Sequence, residues 1–269
     1  RCGKDSSVNE GGNEMQNNSS TGNVDGKKSY TNIAYASDSK YQVCNIYLPD
    51  GEKPVSGYPL IILVHGGGFA MEDQNEKLIQ PVIQKALDNQ YAVISVDYRK
   101  SSEAVFPAAL SDVKASVRWA RANAAEYGFN PDNITIWGES AGAYLADMTA
   151  LTPDVSELDG DVSDNSEYSS AVNAVVSFYA PIEFYTMDQE FTALGLPKCA
   201  NHTKASSFES KFLGQSLDAD KDKTYTTYWE TYKDQLPDGF ALRAWIQAGS
   251  NDQNVPYTQS ANLADRLTN

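Results

Sequence analysis

Histidine, cysteine, basic residues and long apolar runs are all scarce in this chain, and each shortage excludes something. No hydrophobic stretch approaches the roughly 18 residues that mark a transmembrane helix, so no membrane span is expected. The three cysteines, Cys2, Cys44 and Cys199, form no CxxC pair and no zinc-type spacing. Neither a metal centre nor a disulfide framework is expected from them. Lys and Arg number 21 against 36 Asp and Glu, a formal net charge of −15. So acidic a surface repels nucleic acid and anionic membranes and favours solubility, but it identifies no substrate. Only two histidines occur, His65 and His202. Any chemistry that needs an imidazole has two candidates.

What is present is enough for one large α/β domain: 269 residues of ordinary globular composition, with no internal repeat. Residues 1–28 are rich in Asn, Ser, Gly and acidic side chains and read as a disordered polar tether. Cys2 at its head reads either as the lipid-anchored cysteine of a bacterial surface lipoprotein, which would make the protein extracellular or cell-surface, or as an incidental residue. The folded domain is expected over 29–269. Within it Tyr41–Leu48 alternates as a strand, and Pro59–Val64 is a continuous apolar run of the kind buried on both faces of a parallel sheet. Tyr91–Val96, Asn133–Trp137, Ala171–Phe178 and Ala241–Ala248 read likewise. Helical patterns alternate with them. The clearest starts at Pro107, carries Leu110, Val113, Val117, Ala120, Ala124 and Tyr127 on one stripe, and stops at Gly128. Lys77–Leu87, Tyr144–Leu151 and Tyr257–Leu267 are shorter. This rhythm predicts an α/β fold with a mostly parallel sheet and helices on both faces. Two segments break it: Thr152–Ser170, an acidic surface excursion, and an insertion at about 181–239, either a cover over the site or a helical decoration.

Gly138-Glu139-Ser140-Ala141-Gly142 follows one predicted strand and opens a helix. A serine on so sharp a strand-to-helix turn is a nucleophile elbow, with a helix N-terminus that favours developing negative charge. His65-Gly66-Gly67-Gly68-Phe69 follows the strand Pro59–Val64. Its glycines let backbone N–H groups approach a ligand closely, and it lacks the Lys and Ser/Thr of a phosphate loop. The N–H groups of Gly67, Gly68 and Ala141 are the candidate donors to an oxyanion. His65 reads as a brace for that loop, and Glu139 as a support for neighbouring backbone rather than a second acid/base. Asp97 and Arg99 read as a structural ion pair. Phe184, Tyr185 and Phe191 of the insertion either touch substrate or pack the cover.

Taken in order, His65–Phe69, Asp97-Tyr98-Arg99, Phe106–Leu110 with Asp112-Val113, and Gly138–Gly142 resemble the hormone-sensitive-lipase-type bacterial esterases. Asp252 and Val255-Pro256 complete the likeness, which covers about 30–269 and is strongest to the branch with feruloyl and acetyl-xylan esterases. Ala180-Pro-Ile-Glu-Phe184 stands where that branch tends to have Gly-Pro-Thr-Asp-Phe. The resemblance implies an α/β-hydrolase fold, a carboxylic-ester hydrolase working through an acyl-enzyme on Ser140, and no cofactor or metal. Its substrate would be a small-molecule or oligosaccharide ester. It implies Asp252 as the acid, with Asp97 and Asp112 as alternatives. The family order is Ser, Asp, His, with the histidine beyond a further strand. This chain has no histidine in the 17 residues after Asp252. The expectation is therefore that the last strand, the catalytic histidine and the last helix are missing from it. His202, earlier in the polar stretch Cys199–Thr203, reads as a surface or cover residue rather than the base. Two other functions stand beside the polysaccharide esterase: a short-chain carboxylesterase or lipase, and a non-catalytic binding protein on an esterase scaffold.

Overall fold

Apolar runs supply the parallel part of one eight-stranded sheet. Those at Tyr58–Val64 and Ala92–Val96 inside it are covered on both faces. The strand at its edge, Arg243–Gln247, is largely exposed, unlike the buried strand expected over Ala241–Ala248. The structure, a computed structural model, describes residues 21–24 and 27–268. Its strands are β1 (Thr21–Val24), β2 (Lys27–Ala34), β3 (Val43–Tyr47), β4 (Tyr58–Val64), β5 (Ala92–Val96), β6 (Phe129–Glu139), β7 (Ala174–Phe178) and β8 (Arg243–Gln247). The helices are α1 (Gln80–Asp88), α2 (Ala108–Ala122), α3 (Ala124–Tyr127), α4 (Ala141–Leu151), α5 (Met187–Leu194), α6 (Phe208–Leu213), α7 (Lys221–Tyr225) and α8 (Thr258–Thr268). In space the strands run β1-β2-β3-β5-β4-β6-β7-β8, antiparallel as far as the β3–β5 pair and parallel from β5 to β8. This is the mostly parallel α/β-hydrolase sheet that the sequence predicts.

Periodicity explains the placement. β5 is buried at every position, and Ile62, Leu63 and Val64 of β4 are wholly enclosed. Each such side chain contributes about 1.5–3 kcal/mol. The long helical stripe divides at Asn123 into α2 and α3, and Gly128 ends it. Among the described residues no helix is long and apolar enough to cross a membrane.

Three expectations change. The sequence reads as tether over 1–28, yet β1 begins at Thr21 and β2 pairs with β3 from Ser29 onward. Polar residues suffice there because an edge strand draws its stability from backbone pairing, while Tyr30 and Ile33 reach the core. Residues 1–20, with Cys2, lie outside the described residues. Cys199 is disulfide-bonded, so the chain is not without a disulfide, and Cys44 is a buried free thiol. Finally, the Thr152–Ser170 excursion is anchored: Val155, Leu158 and Val162 are buried, and Asp159 pairs with Arg118 at 3.1 Å.

The insertion lies between β7 and β8 and carries α5, α6 and α7. Phe184, Met187, Phe212, Leu213 and Trp229 join its inner face to the main core. α4 is buried along its whole length. It carries Asp147, whose carboxylate accepts 2.7 Å from Ser177 Oγ on β7 while its other oxygen has no partner among the described residues. Burial pushes this carboxyl up to about 7. The folded state therefore holds the proton more tightly than the unfolded chain. The stability tied to it is fully present below about pH 4 and is lost as pH rises through about 7. Between about pH 5 and pH 8 the loss from this group is roughly 3 kcal/mol. Asp147→Asn should flatten that slope in urea unfolding at the two pH values; an unchanged slope would show that Asp147 is not its source.

Candidate active site

The sheet register brings the two glycine motifs together. β4 and β6 are parallel neighbours with Val64 opposite Gly138, so the loop after β4 and the turn after β6 leave the same sheet edge side by side. Glu139 lies opposite Phe178, and Phe178 opposite Gln247, so the loop that follows β8 shares that edge. Ligands of open α/β sheets bind at this carboxyl edge.

Ser140 stands at the turn between β6 and α4 with φ +53° and ψ −124°. For a residue with a Cβ this conformation costs on the order of 1–3 kcal/mol, and it persists only where surroundings enforce it. The enforcement is visible. The Ser140 N–H donates to Phe178 O at 2.9 Å. A Cβ on Gly142 would lie 2.2 Å from Val64 O and 2.3 Å from His65 O, and one on Gly138 would lie 2.2 Å from Gly142 O. Glycine at 142 lets the start of α4 press against the end of β4, and glycine at 138 lets it press against the end of β6.

The facing loop is held as firmly. The Gly66 N–H donates to Glu139 Oε1 at 2.8 Å, and Tyr179 O–H donates to Glu139 Oε2 at 3.2 Å. Burial raises the Glu139 carboxyl, and the Gly66 bond opposes that rise. Glu139 thus ties one loop to the other, the supporting role read from sequence. Gly67 and Gly68 have φ of +102° and +62°, left-handed values that favour glycine. Among the described residues the N–H groups of Gly67, Gly68 and Ala141 are spent on no other acceptor. Ser140 and these three residues line one cavity of about 480 Å³.

Both histidines are accounted for. His65 is fully buried, with Nδ1 2.7 Å from Gly66 O, Nε2 2.8 Å from Asp97 Oδ1, and its ring stacked on Tyr98 at 4.5 Å. Both nitrogens are engaged away from Ser140. Asp97 bonds His65 and Lys100, whereas Arg99 bonds Asp112 at 2.9 Å and Asp161 at 3.1 Å. The expected Asp97–Arg99 pair is therefore replaced by two separate clusters, because the partners come from other elements. Asp252 lies in the loop after β8. Its Oδ1 accepts from the N–H groups of Asn254 at 2.8 Å and Val255 at 3.1 Å. It lines a second cavity of about 280 Å³ with Ser140, Glu139 and Tyr179.

Of the two readings of His202, surface or cover residue, burial removes the first. The residue is 6% exposed, its Nδ1 is 2.9 Å from Glu209 Oε1, and it lines the larger cavity with Ser140. Phe208, which sequence reasoning passed over, lines that cavity too, against Gly68. Phe184 and Phe191 are buried away from it and pack the insertion. Among the described residues no group of three or more His, Cys, Asp or Glu is arranged to hold a metal ion.

The BD-FAE family model matches residues 44–267. The chain belongs to the BD-FAE family. This BD-FAE chain is similar to a solved structure described as a truncated form of a carbohydrate esterase from gut microbiota. The identity is 29% and the TM-score 0.77, over 88% of this chain and 82% of that one. A bifunctional GH43-CE protein of Bacteroides eggerthii gives the same 29% and 0.77 over 89% of this chain and 30% of that one. Among curated sequences, the probable carboxylic ester hydrolase LipM of Mycobacterium tuberculosis is 25% identical over 213 residues, 78% of this chain and 44% of LipM. Esterase LipQ of the same organism is 32% identical over 122 residues, 45% of this chain and 29% of LipQ. The BD-FAE chain thus spans less than half the length of these two curated relatives.

The backbone contact at the elbow makes a structural prediction. Gly142→Ala places a methyl group into two carbonyl oxygens that cannot move aside, so it should destabilise the protein by about 3 kcal/mol or more in chemical denaturation. A loss below about 1 kcal/mol would mean that the contact is looser than described.

Proposed function

We propose that the protein is a carboxylic-ester hydrolase with Ser140 as nucleophile, and that its substrates are acetyl or feruloyl esters of plant polysaccharide. One observation carries the first part. Ser140, held at a strained elbow, opens onto the same cavity as three uncommitted N–H groups, those of Gly67, Gly68 and Ala141. In this reading Ser140 Oγ bonds to the ester carbonyl carbon as its proton passes to a base. The carbonyl oxygen becomes an oxyanion in front of those donors, and the C–O bond to the alcohol breaks as the alcohol takes up a proton. Water then attacks the acyl-enzyme, releases the acid and returns the proton to Ser140. Asp252, in the loop after β8 and lining a cavity with Ser140, would orient such a base and stabilise its charged form. The polysaccharide part draws on the BD-FAE match and on the likeness to proteins described as carbohydrate esterases.

Ser140→Ala in the full-length protein should lower hydrolysis of a chromogenic acetyl ester by at least about a thousandfold. Its thermal unfolding should be unchanged, because alanine keeps the Cβ. Activity above a tenth of wild type would remove Ser140 from the role. Gly68→Val should act on kcat, since a side chain there would strike the Phe208 ring and turn an N–H away from the oxyanion. Losing one such donor costs about 10²–10³ in kcat. A variant with wild-type kcat and only a raised KM would contradict the oxyanion assignment. Acetylated or feruloylated xylo-oligosaccharide should show higher kcat/KM than a simple butyrate ester. The opposite order, with no activity on sugar esters, would favour a short-chain aliphatic esterase, and inactivity on every ester a binding protein.

A further inference from the structure

Two cavities open beside Ser140, and Gly67 and Ser140 line both. After the glycines the chain folds back, with the N–H groups of Ala70 and Met71 donating to Gly67 O at 3.1 and 3.0 Å. Glu72 then takes φ +65°, a left-handed value that a residue with a Cβ holds only where its surroundings enforce it. Across this turn two adjacent side chains part: Met71 lines the larger cavity and Glu72 the smaller. The two walls differ in chemistry. In the larger cavity Met71 is 51% exposed and Phe208 42%, although both are large and apolar. The Phe208 ring lies against Gly68, its carbons 2.6–2.8 Å from where a Cβ on that residue would be. Bare apolar surface gathered beside a nucleophile suits an apolar ligand group. In the smaller cavity every charged lining residue is a carboxylate: Glu72, Glu76, Glu139 and Asp252. Three of them are committed, Glu139 to Gly66, Glu76 to the Leu78 N–H, and Asp252 to those of Asn254 and Val255. Glu72 alone of the four is exposed, and it is spent on no donor among the described residues.

The esterase reading says which half of an ester belongs on which side. The base that returns a proton to the departing alcohol is the one that Asp252 orients, so the alcohol leaves on the side of Asp252. Asp252 lines the smaller cavity and not the larger. The acyl group then points into the larger cavity, whose volume of about 480 Å³ suits a group much bulkier than acetyl. We propose that Met71 and Glu72 divide the site at the scissile bond. Met71, with Phe208, walls the side that takes a bulky apolar acyl group. Glu72 faces the side that takes the alcohol, and it selects an uncharged, hydroxyl-bearing alcohol over an anionic one. Its carboxylate accepts hydrogen bonds from hydroxyl groups and repels a second negative charge. This division rests on the esterase reading, with Ser140 as nucleophile.

Two ratios of kcat/KM, measured on the full-length protein, test the division. Each is taken within one preparation, so a variant that folds only in part still reads correctly. p-Nitrophenyl cinnamate against p-nitrophenyl acetate varies the acyl group alone. The acetate of 3-hydroxybenzamide against that of 3-hydroxybenzoate varies the charge of the alcohol alone. Met71→Ala and Phe208→Ala should each lower the cinnamate-to-acetate ratio about tenfold and leave the charge ratio at its wild-type value. Glu72→Gln should cut the preference for the neutral alcohol about fivefold at low salt, the repulsion of one exposed carboxylate at contact distance, and leave the acyl ratio alone. Salt at about 1 M should shrink the same preference in the wild type. The division is wrong if both apolar variants keep the wild-type acyl ratio, or if Glu72→Gln keeps the wild-type charge ratio. It is the wrong way round if the two kinds of variant exchange their effects. Ser140→Ala with wild-type hydrolysis of these esters would instead overturn the esterase reading, and the division with it.

Discussion

Everything at the carboxyl edge of the sheet depends on one backbone-to-backbone contact, the start of α4 pressed against the last carbonyls of β4. A Cβ on Gly142 would fall within van der Waals exclusion of Val64 O and His65 O, and one on Gly138 within that of Gly142 O. Two motifs more than 70 residues apart thereby share a wall without an intervening side chain. The approach turns Ser140 into a strained conformation and sets the Gly67–Gly68 loop across the cavity from it. The Glu139 bond to the Gly66 N–H joins the same two segments a second time, so neither can shift alone. Strain at Ser140 is offset by the packing of α4, which is buried along its whole length.

Charge buried behind this edge gives rigidity rather than net stability. His65, Asp97 and Lys100 make one cluster; Arg99, Asp112 and Gln42 make another. Burial raises the Asp112 carboxyl even with Arg99 against it, and lowers the Lys100 ammonium even with Asp97 against it. Desolvation consumes much of what such pairs return, whereas removing one partner costs about 3–5 kcal/mol. Their value here is positional. The first cluster grips the turn after β4, and the second joins the end of β5 to α2. Tyr98 adds a hydrogen bond to His65 O at 2.8 Å. The loop that faces Ser140 is therefore fixed from behind.

How much of this could be read from sequence follows from which interactions are local. The runs at β4 and β5 are apolar throughout because both faces are covered, and that pattern survives in one dimension. The elbow is legible for the same reason: strand, glycine, serine, glycine and helix are consecutive. β1 and the start of β2 are hidden in the sequence, since Lys27 and Lys28 look like tether and gain their structure by pairing with Val24 and Asn23 of β1. Proximity in sequence suggests an Asp97–Arg99 pair, but their partners, His65 and Asp112, arrive from the loop after β4 and from α2. His202 can be read as a surface residue because Asn201, Thr203 and Lys204 around it are polar. Its burial comes from Phe191 and Glu209, which only the folded insertion brings together. Phe208 stood unnoticed for the same reason.

The most direct measurement is a structure of the protein after reaction with a serine-directed alkyl phosphonate ester, whose tetrahedral phosphorus mimics the intermediate. The account predicts a covalent bond from Ser140 Oγ to phosphorus, with the phosphoryl oxygen about 2.7–3.1 Å from at least two of the N–H groups of Gly67, Gly68 and Ala141. An adduct on another residue, or a phosphoryl oxygen turned away from all three, would contradict it.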